Sequence, residues 1–298
     1  MSITSSVLKY TAGAVFALMT GTAVYAEGTL PYPEAALPDG NDMLVVTIGP
    51  GGPGEEFGSS EPNGGFLRIA EDGTTTSVAV PDGVRLINPT GILGTEDAIF
   101  LTDGATVIAL DRAGGLLWQK TYDAPGAFLY DIEMLEDGQL LLTDFGNGAL
   151  VLADAKTGAF SAFPFEGKLP GIARAEVQGD TIIYTQWGSD EKFDGAVNRL
   201  TNTNGTWALT TLSDGFGNPE AITILGDDIV VASYRGHENF QGPGMFRIDA
   251  KGIVTHLPDA DIGQGASDFL IDHDNLVVSK FKDGSVVKIP LSGLQAEQ

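Results

Sequence analysis

Short apolar runs alternate with turns rich in Gly, Asp and Asn along most of this chain. Five of these runs align as one phrase that recurs about every 41 to 48 residues: Ala98–Asp103, Gln139–Asp144, Thr181–Gln186, Ile229–Tyr234 and Asn275–Lys280. Each run has the length and the β-branched and aromatic content of a strand. A repeat of this period built from short strands is typical of β-propeller blades.

Turn signals divide each repeat into four strands and place six repeats along the chain. The first blade begins near Asp42, and the others run over Asn88–Lys120, Tyr130–Phe163, Gly171–Leu212, Asn218–Leu257 and Gly265–Pro290. Seven blades would need a shorter repeat than the one observed. We therefore predict an all-β, six-bladed β-propeller in which the segment Thr29–Asp42 supplies the outer strand of the last blade. Because a propeller gathers its inner strands around one axis, residues far apart in sequence can form a single site.

The N-terminal segment has the features of a signal peptide. Lys9 precedes an apolar stretch from Ala12 to Met19, and small residues lead to a cleavage site after Ala26. We predict a signal peptide over residues 1–26, one propeller domain over residues 27–298, and a periplasmic or secreted protein. The alternative is an uncleaved N-terminal anchor, although the apolar stretch is short for one. No later stretch approaches the ~20 apolar residues of a membrane-spanning helix.

The chain is strongly acidic, with 16 Lys and Arg against 40 Asp and Glu and a net charge of −24. Such a charge repels nucleic acid and anionic membranes, and it suits solubility, a saline habitat or divalent cations. Cysteine is absent, which excludes disulfides and thiol catalysis. The partner left by these exclusions is a small-molecule substrate or ligand, and the oligomeric state stays open.

Three repeats begin with related phrases, Asn88-Pro-Thr-Gly-Ile92, Asn218-Pro-Glu-Ala-Ile222 and Gly265-Ala-Ser-Asp-Phe269. Each is followed by a strand, an Asp-Gly or Asp-Asn turn, and another strand. These units resemble the repeats of the SMP-30/gluconolactonase/LRE-like superfamily, the calcium-dependent phosphotriesterase type of six-bladed propeller. The same pattern occurs in NHL-repeat and strictosidine-synthase-like propellers. The resemblance covers essentially the whole chain after the N-terminal segment.

In its lactonase members this resemblance implies a divalent cation, commonly calcium, on the central axis. A first-blade Glu would hold it together with Asn or Asp side chains where inner strands begin. The residues on or beside those positions are Asp131, Glu220 and Asp268, with Asn88 next to Thr90 in the second blade. The Asn-Gly pairs usual at two ligand positions are missing. The first-blade Glu is Glu55, Glu56 or Glu61, or none of these.

Three carboxylates on one axis repel each other, so their convergence predicts a metal, raised pKa values or a nearby arginine. Oxygen ligands of this kind select calcium or magnesium over zinc. Arg174 lies near the equivalent strand start of blade four, where it either holds a substrate oxygen or forms a salt bridge with these acids. In the metal interpretation Asp131 and Glu220 are ligands, and Asp268 also serves as the general base.

Two long loops carry further candidates for substrate binding. The segment Ser233–Gly244 contains Arg235 and His237, and Trp187 lies in the matching loop of blade four. Long polar and aromatic loops on a rigid scaffold are where recognition residues often lie, although Trp187 can equally pack within its own loop. The sequence thus predicts a secreted hydrolase acting on a lactone or small ester. The alternative is a non-catalytic propeller that binds a small ligand or protein on its loop face.

Overall fold

The computed structural model describes residues 23–26, 30–49, 62–257 and 262–294, with only the backbone given for residues 23–26. Over this part of the chain, six antiparallel sheets follow one another in sequence order and form the predicted six-bladed propeller. The prediction of an all-β fold is confirmed.

The strands of the first three blades are arranged from the inner to the outer edge of each sheet. Blade one contains β2 (Pro33–Asp39), β3 (Asp42–Thr47), β4 (Gly65–Ile69) and β5 (Thr75–Ser77). Blade two contains β6 (Pro89–Gly94), β7 (Ala98–Asp103), β8 (Thr106–Asp111) and β9 (Leu116–Thr121). Blade three contains β10 (Leu129–Met134), β11 (Gln139–Asp144), β12 (Ala149–Asp154) and β13 (Phe160–Ala162).

The other three blades follow the same order. Blade four contains β14 (Ile172–Gln178), β15 (Thr181–Gln186), β16 (Gly195–Thr203) and β17 (Thr206–Phe216), extended by β20 (Gly236–His237) and β21 (Phe240–Gln241). Blade five contains β18 (Pro219–Leu225), β19 (Asp228–Ser233), β22 (Gly244–Ile248) and β23 (Val254–His256). Blade six contains β24 (Asp268–Asp272), β25 (Asn275–Lys280), β26 (Ser285–Pro290) and, at its outer edge, β1 (Ala23–Ala26).

The N-terminal part of the chain does complete the last blade, but with a different segment from the one predicted. β1 pairs with β26, whereas the predicted outer-strand segment Thr29–Asp42 contains the inner strand of blade one. Ala35 packs in the interface between blades one and two and Ala36 in the interface between blades six and one, so both faces of this strand are buried as in an inner strand. The predicted cleavage after Ala26 stays a prediction.

The apolar core is divided among the six interfaces between neighbouring blades. One cluster joins blades four and five through Phe216, Val231 and Phe246, and equivalent clusters fill the other interfaces. A blade therefore buries its faces only against its neighbours, which makes the closed ring the stable unit. Among the described residues, the helical structure is one 3-10 turn, Leu291–Gly293. No helix in this part of the chain is long and apolar enough to cross a membrane.

Candidate functional site

The repeated threonine near the end of the second strand positions the residues at the axis. In blade four, Thr185 Oγ1 accepts a hydrogen bond from the backbone N–H of Arg174 at 3.1 Å and donates to the backbone carbonyl of Glu220 at 2.9 Å. Thr143 likewise accepts from the backbone N–H of Asp131 at 3.0 Å. The hydroxyl thus fixes the start of its own inner strand and links it to the next blade.

Arg174 lies at the centre of the axial site and is almost fully buried, with 1% of its surface exposed. Its Nη1 donates to Asp131 Oδ1 at 3.0 Å, its Nη2 lies 3.3 Å from Glu34 Oε2, and its Nε lies 3.9 Å from Asp268 Oδ1. The guanidinium also donates to the backbone carbonyls of Thr90, Glu34 and Ser267. One side chain from blade four therefore connects blades one, two, three and six.

A second polar group lies beside this arginine. The Tyr130 hydroxyl donates a hydrogen bond to Glu220 Oε1 and lies 3.2 Å from Glu34 Oε2, while the Tyr130 ring lies 4.8 Å from the Arg174 guanidinium carbon. Tyr234 also hydrogen-bonds to Glu220. Because one hydroxyl carries one proton, the second carboxyl contact of Tyr130 is satisfied only when a carboxyl group is protonated. We call Glu34, Tyr130 and Glu220 the Glu–Tyr–Glu group.

This group forms the floor of a cavity of about 750 Å³. The walls are largely aromatic and come from several blades: Phe128, Tyr130, Phe145, Trp187, Tyr234 and Phe281. The rings of Trp187 and Tyr234 are 5.6 Å apart at their centroids. Tyr234 lies directly against Gly265, where an added Cβ would approach the ring within 2.3 Å, so a residue with a side chain at position 265 would displace this wall.

Burial raises the pKa values of the axial carboxyls. Desolvation raises the pKa of Glu220 to about 7, against the lowering influence of Arg174 and of the tyrosine hydrogen bonds. Desolvation, followed by the charge of Glu220, raises the pKa of Glu34 well above its ordinary value. The pKa of Asp268 also rises to about 7, mainly through desolvation. The axial site therefore holds protons near neutral pH.

Two further acids follow in the same inner strands. Glu133 in β10 and Glu176 in β14 are half-buried and come two residues after Asp131 and Arg174. Desolvation raises the pKa of Glu176 to about 8, and desolvation followed by the charge of Glu176 raises that of Glu133 well above its ordinary value. Ionisable carboxyls thus continue along the axis beyond the arginine.

The residues described around the axis do not fit a divalent cation. Arg174 already provides the positive charge that the acids need, and its donors occupy oxygens of Glu34 and Asp131. In the described part of the chain, no three His, Asp or Glu side chains are arranged to hold a metal ion together. The predicted first-blade candidates Glu55, Glu56 and Glu61 lie outside the described residues.

The structure brings together some of the predicted site residues and separates others. Asp131, Asp268 and Arg174 meet at the axis, and Glu220, Trp187 and Arg235 line the cavity. Asp268 contacts the arginine and is not a cavity-lining residue.

His237 and Asn88 lie elsewhere. The His237 ring is buried in β20, packs edge-on against Phe216 at 4.9 Å, and has its Nε2 3.2 Å from the Asp214 carbonyl. Asn88 precedes β6, and its backbone N–H donates to Asp103. Neither lines the cavity, because the loops that carry them are held by local packing and backbone hydrogen bonds.

Sequence reasoning missed Glu34 and Tyr130. A signal for Glu34 was present, because Pro33-Glu-Ala35 repeats the phrase Pro219-Glu-Ala221 and, like it, precedes a turn and an apolar strand. Tyr130 carries no comparable signal, since a tyrosine at a strand start is ordinarily part of a core. Only the closed ring brings its hydroxyl to two glutamates.

Comparison with known proteins supports the fold. No protein-family model matches the chain, and no curated protein sequence matches it. Among solved structures, a gluconolactonase from Xanthomonas campestris is 13% identical, with a TM-score of 0.60 and coverage of 89% of this chain and 87% of that one. Virginiamycin B lyase from Staphylococcus aureus is 14% identical, with a TM-score of 0.56 and coverage of 91% and 99%. Hydrazine synthase from Kuenenia stuttgartiensis is 16% identical, with a TM-score of 0.58 and coverage of 89% and 77%. The chain is therefore a six-bladed β-propeller that shares its fold with a gluconolactonase and with a virginiamycin B lyase.

Proposed function

We propose that this protein binds a small organic molecule with an aromatic or apolar body in the axial cavity. The observation that supports this most strongly is the combination of aromatic walls with a polar floor at the Glu–Tyr–Glu group. Ligand pockets have volumes of roughly 300–1,000 Å³ and place a few polar groups within mainly apolar walls. A cavity of about 750 Å³ falls within that range.

The proposal follows the alternative of a binding propeller that the sequence left open. A metal-dependent hydrolase needs acids that converge on one cation, whereas here the acids pair with Arg174. The paired arginine holds the floor rigidly, because its donors are distributed over several blades. A rigid, preformed floor reduces the cost of ordering the site when a ligand binds.

Trp187→Ala is expected to weaken the binding of a naphthyl or phenyl probe by about tenfold or more, because it removes one aromatic wall. Titration calorimetry measures this loss. Among the described residues, Trp187 is the tryptophan that lines the cavity, so ligand binding should also quench its fluorescence. The control is Trp207→Ala, which removes an indole that packs on Phe163 outside the cavity and should leave affinity unchanged. Equal losses in both variants would contradict the proposal.

A second candidate function is hydrolysis of a lactone or small ester in the same cavity. It is favoured by the pKa of Glu220, which at about 7 suits a general base near neutral pH. Glu220 would take a proton from water as the water oxygen attacks the carbonyl carbon. The C–O bond to the leaving alcohol then breaks, and the alcohol oxygen takes the proton from Glu220. Glu220 replaces Asp268 in this role because Asp268 does not line the cavity.

If the cavity is hydrolytic, activity on a panel of aldonolactones and aryl esters should persist after chelation with EDTA. Glu220→Gln should then lower the rate by about a hundredfold or more. Asp227→Asn, which changes an exposed residue of the same blade, serves as the control and should keep full activity. Activity that disappears with the chelator and returns with calcium would show instead that a metal is required.

A further inference from the structure

The cavity has spare hydrogen-bond acceptors. Glu34 and Glu220 contribute carboxyl groups to its floor, and Asn218 and Asp190 also line it. Asn218 is 2% exposed, and its Nδ2 donates to Asp190 Oδ1 at 3.0 Å. The acceptors open to a ligand are the carboxyl oxygens that line the cavity.

The donors at the floor of the cavity are already in use. Tyr130 donates to Glu220, and Arg174 donates to carboxylates and backbone carbonyls. Arg235 lines the cavity but its Nη1 donates to the carbonyls of Lys192 and Ser189, at 3.0 and 3.3 Å. A ligand carboxylate would therefore find few free donors at the floor, whereas the exposed Lys282 lines the cavity at its mouth.

The walls favour a positive charge as well. Aromatic faces attract cations through the ring quadrupole. The exposed Lys282 shows this effect at the mouth of the cavity, where its ammonium lies 5.6 Å from the Tyr234 ring centroid. The net charge of −24 adds a long-range attraction for cationic ligands.

We propose that the ligand carries a protonated amine attached to its apolar body, and that the ammonium binds at the Glu–Tyr–Glu group. The inference rests on the proposed binding function and names its ligand class. The ammonium donates to Glu220 and Glu34 and contacts the faces of Tyr234 and Trp187. The apolar body fills the space between Phe128, Phe145 and Phe281, which line the same cavity.

Three probes of matched size and different charge test this inference: phenethylamine, phenethyl alcohol and phenylacetate. Titration calorimetry near pH 7 and physiological salt should give an affinity for the amine about tenfold or more above that for the alcohol, because hydrogen bonds to charged groups contribute about 1.5–3 kcal/mol. Phenylacetate should bind most weakly. Equal affinities for all three would overturn the amine inference while the binding function stands. Binding of none would overturn both.

The variant Glu220→Gln separates the site from the general negative charge of the protein. It should reduce the preference for amine over alcohol to about threefold or less, while Glu238→Gln, an exposed residue of the same propeller, should keep the full preference. Circular dichroism verifies folding, and Glu34→Gln provides a second variant with the same expected outcome. A preference unchanged in both cavity variants, or equally reduced in the control, would overturn the inference.

Discussion

Arg174→Met is expected to lower the free energy of unfolding by about 3–5 kcal/mol near pH 8, because it leaves buried acids without their cation. Asp131 and Glu34 both lose a direct ion pair, and three backbone carbonyls lose a donor. Denaturant titration measures the change. Near pH 5 the loss should be smaller, because burial raises the pKa of Glu34 and this carboxyl can then be protonated.

Two further variants test whether the loss of stability comes from the buried ion pairs and donors of Arg174. Arg68→Met removes a partly exposed arginine with ion pairs to Asp39 at 2.7 Å and Asp42 at 3.0 Å, and it should cost about 1 kcal/mol or less. Arg174→Lys should recover only part of the loss, because an ammonium cannot match the planar set of donors. A cost below about 1 kcal/mol for Arg174→Met would show that the axial ion pairs do not stabilise the ring.

The melting temperature is expected to fall by about 10 °C or more as the pH rises from about 5 to 9. Carboxyls with raised pKa values bind protons more tightly in the folded than in the unfolded protein. Their contribution to stability is therefore complete below an ordinary carboxyl pKa and is lost as the pH rises through their folded values, about 7 for Glu220 and Asp268 and about 8 for Glu176. Calorimetric scans at a series of pH values measure this slope.

Single substitutions attribute the slope to particular groups. Glu220→Gln should flatten it, since the amide does not ionise, and the exposed Glu238→Gln should leave it unchanged. Exposed turn aspartates act in the opposite direction: backbone hydrogen bonds lower the pKa of Asp249, and side-chain and backbone hydrogen bonds from Thr157 lower that of Asp154. Stability should thus decline again in strong acid. A melting temperature that rises between about pH 5 and 9 would contradict the pKa shifts described for the axis.

The fold was predictable because it depends on a repeated local pattern. Each apolar run followed by a Gly- or Asp-rich turn marks a strand pair. The regular spacing of these pairs predicts a closed ring of six blades. The N-terminal strand was misplaced because Pro33–Asp39 has Pro at its first position and again near its end, and only its neighbours at the axis identify it as an inner strand.

The axial site was only partly predictable. Equivalent positions in the repeats indicated that Asp131, Asp268 and Arg174 would meet, but the sequence could not show whether a metal or the arginine balances the acids. Whether the arginine balances the acids depends on how far, and in which direction, the Arg174 side chain extends across the ring. His237 is a different case, since its loop position carries no information about which way the ring packs.

A crystal structure of the protein grown with calcium and phenethylamine is the most direct test of the central claim, that the cavity above the Arg174-centred acids is a ligand site. The account predicts the phenyl ring among the aromatic walls and the amine nitrogen within hydrogen-bond distance of Glu220, with the Arg174 guanidinium still bound to Asp131. An anomalous calcium peak between Glu34 and Glu220, or an amine bound elsewhere while the cavity holds only water, would contradict it.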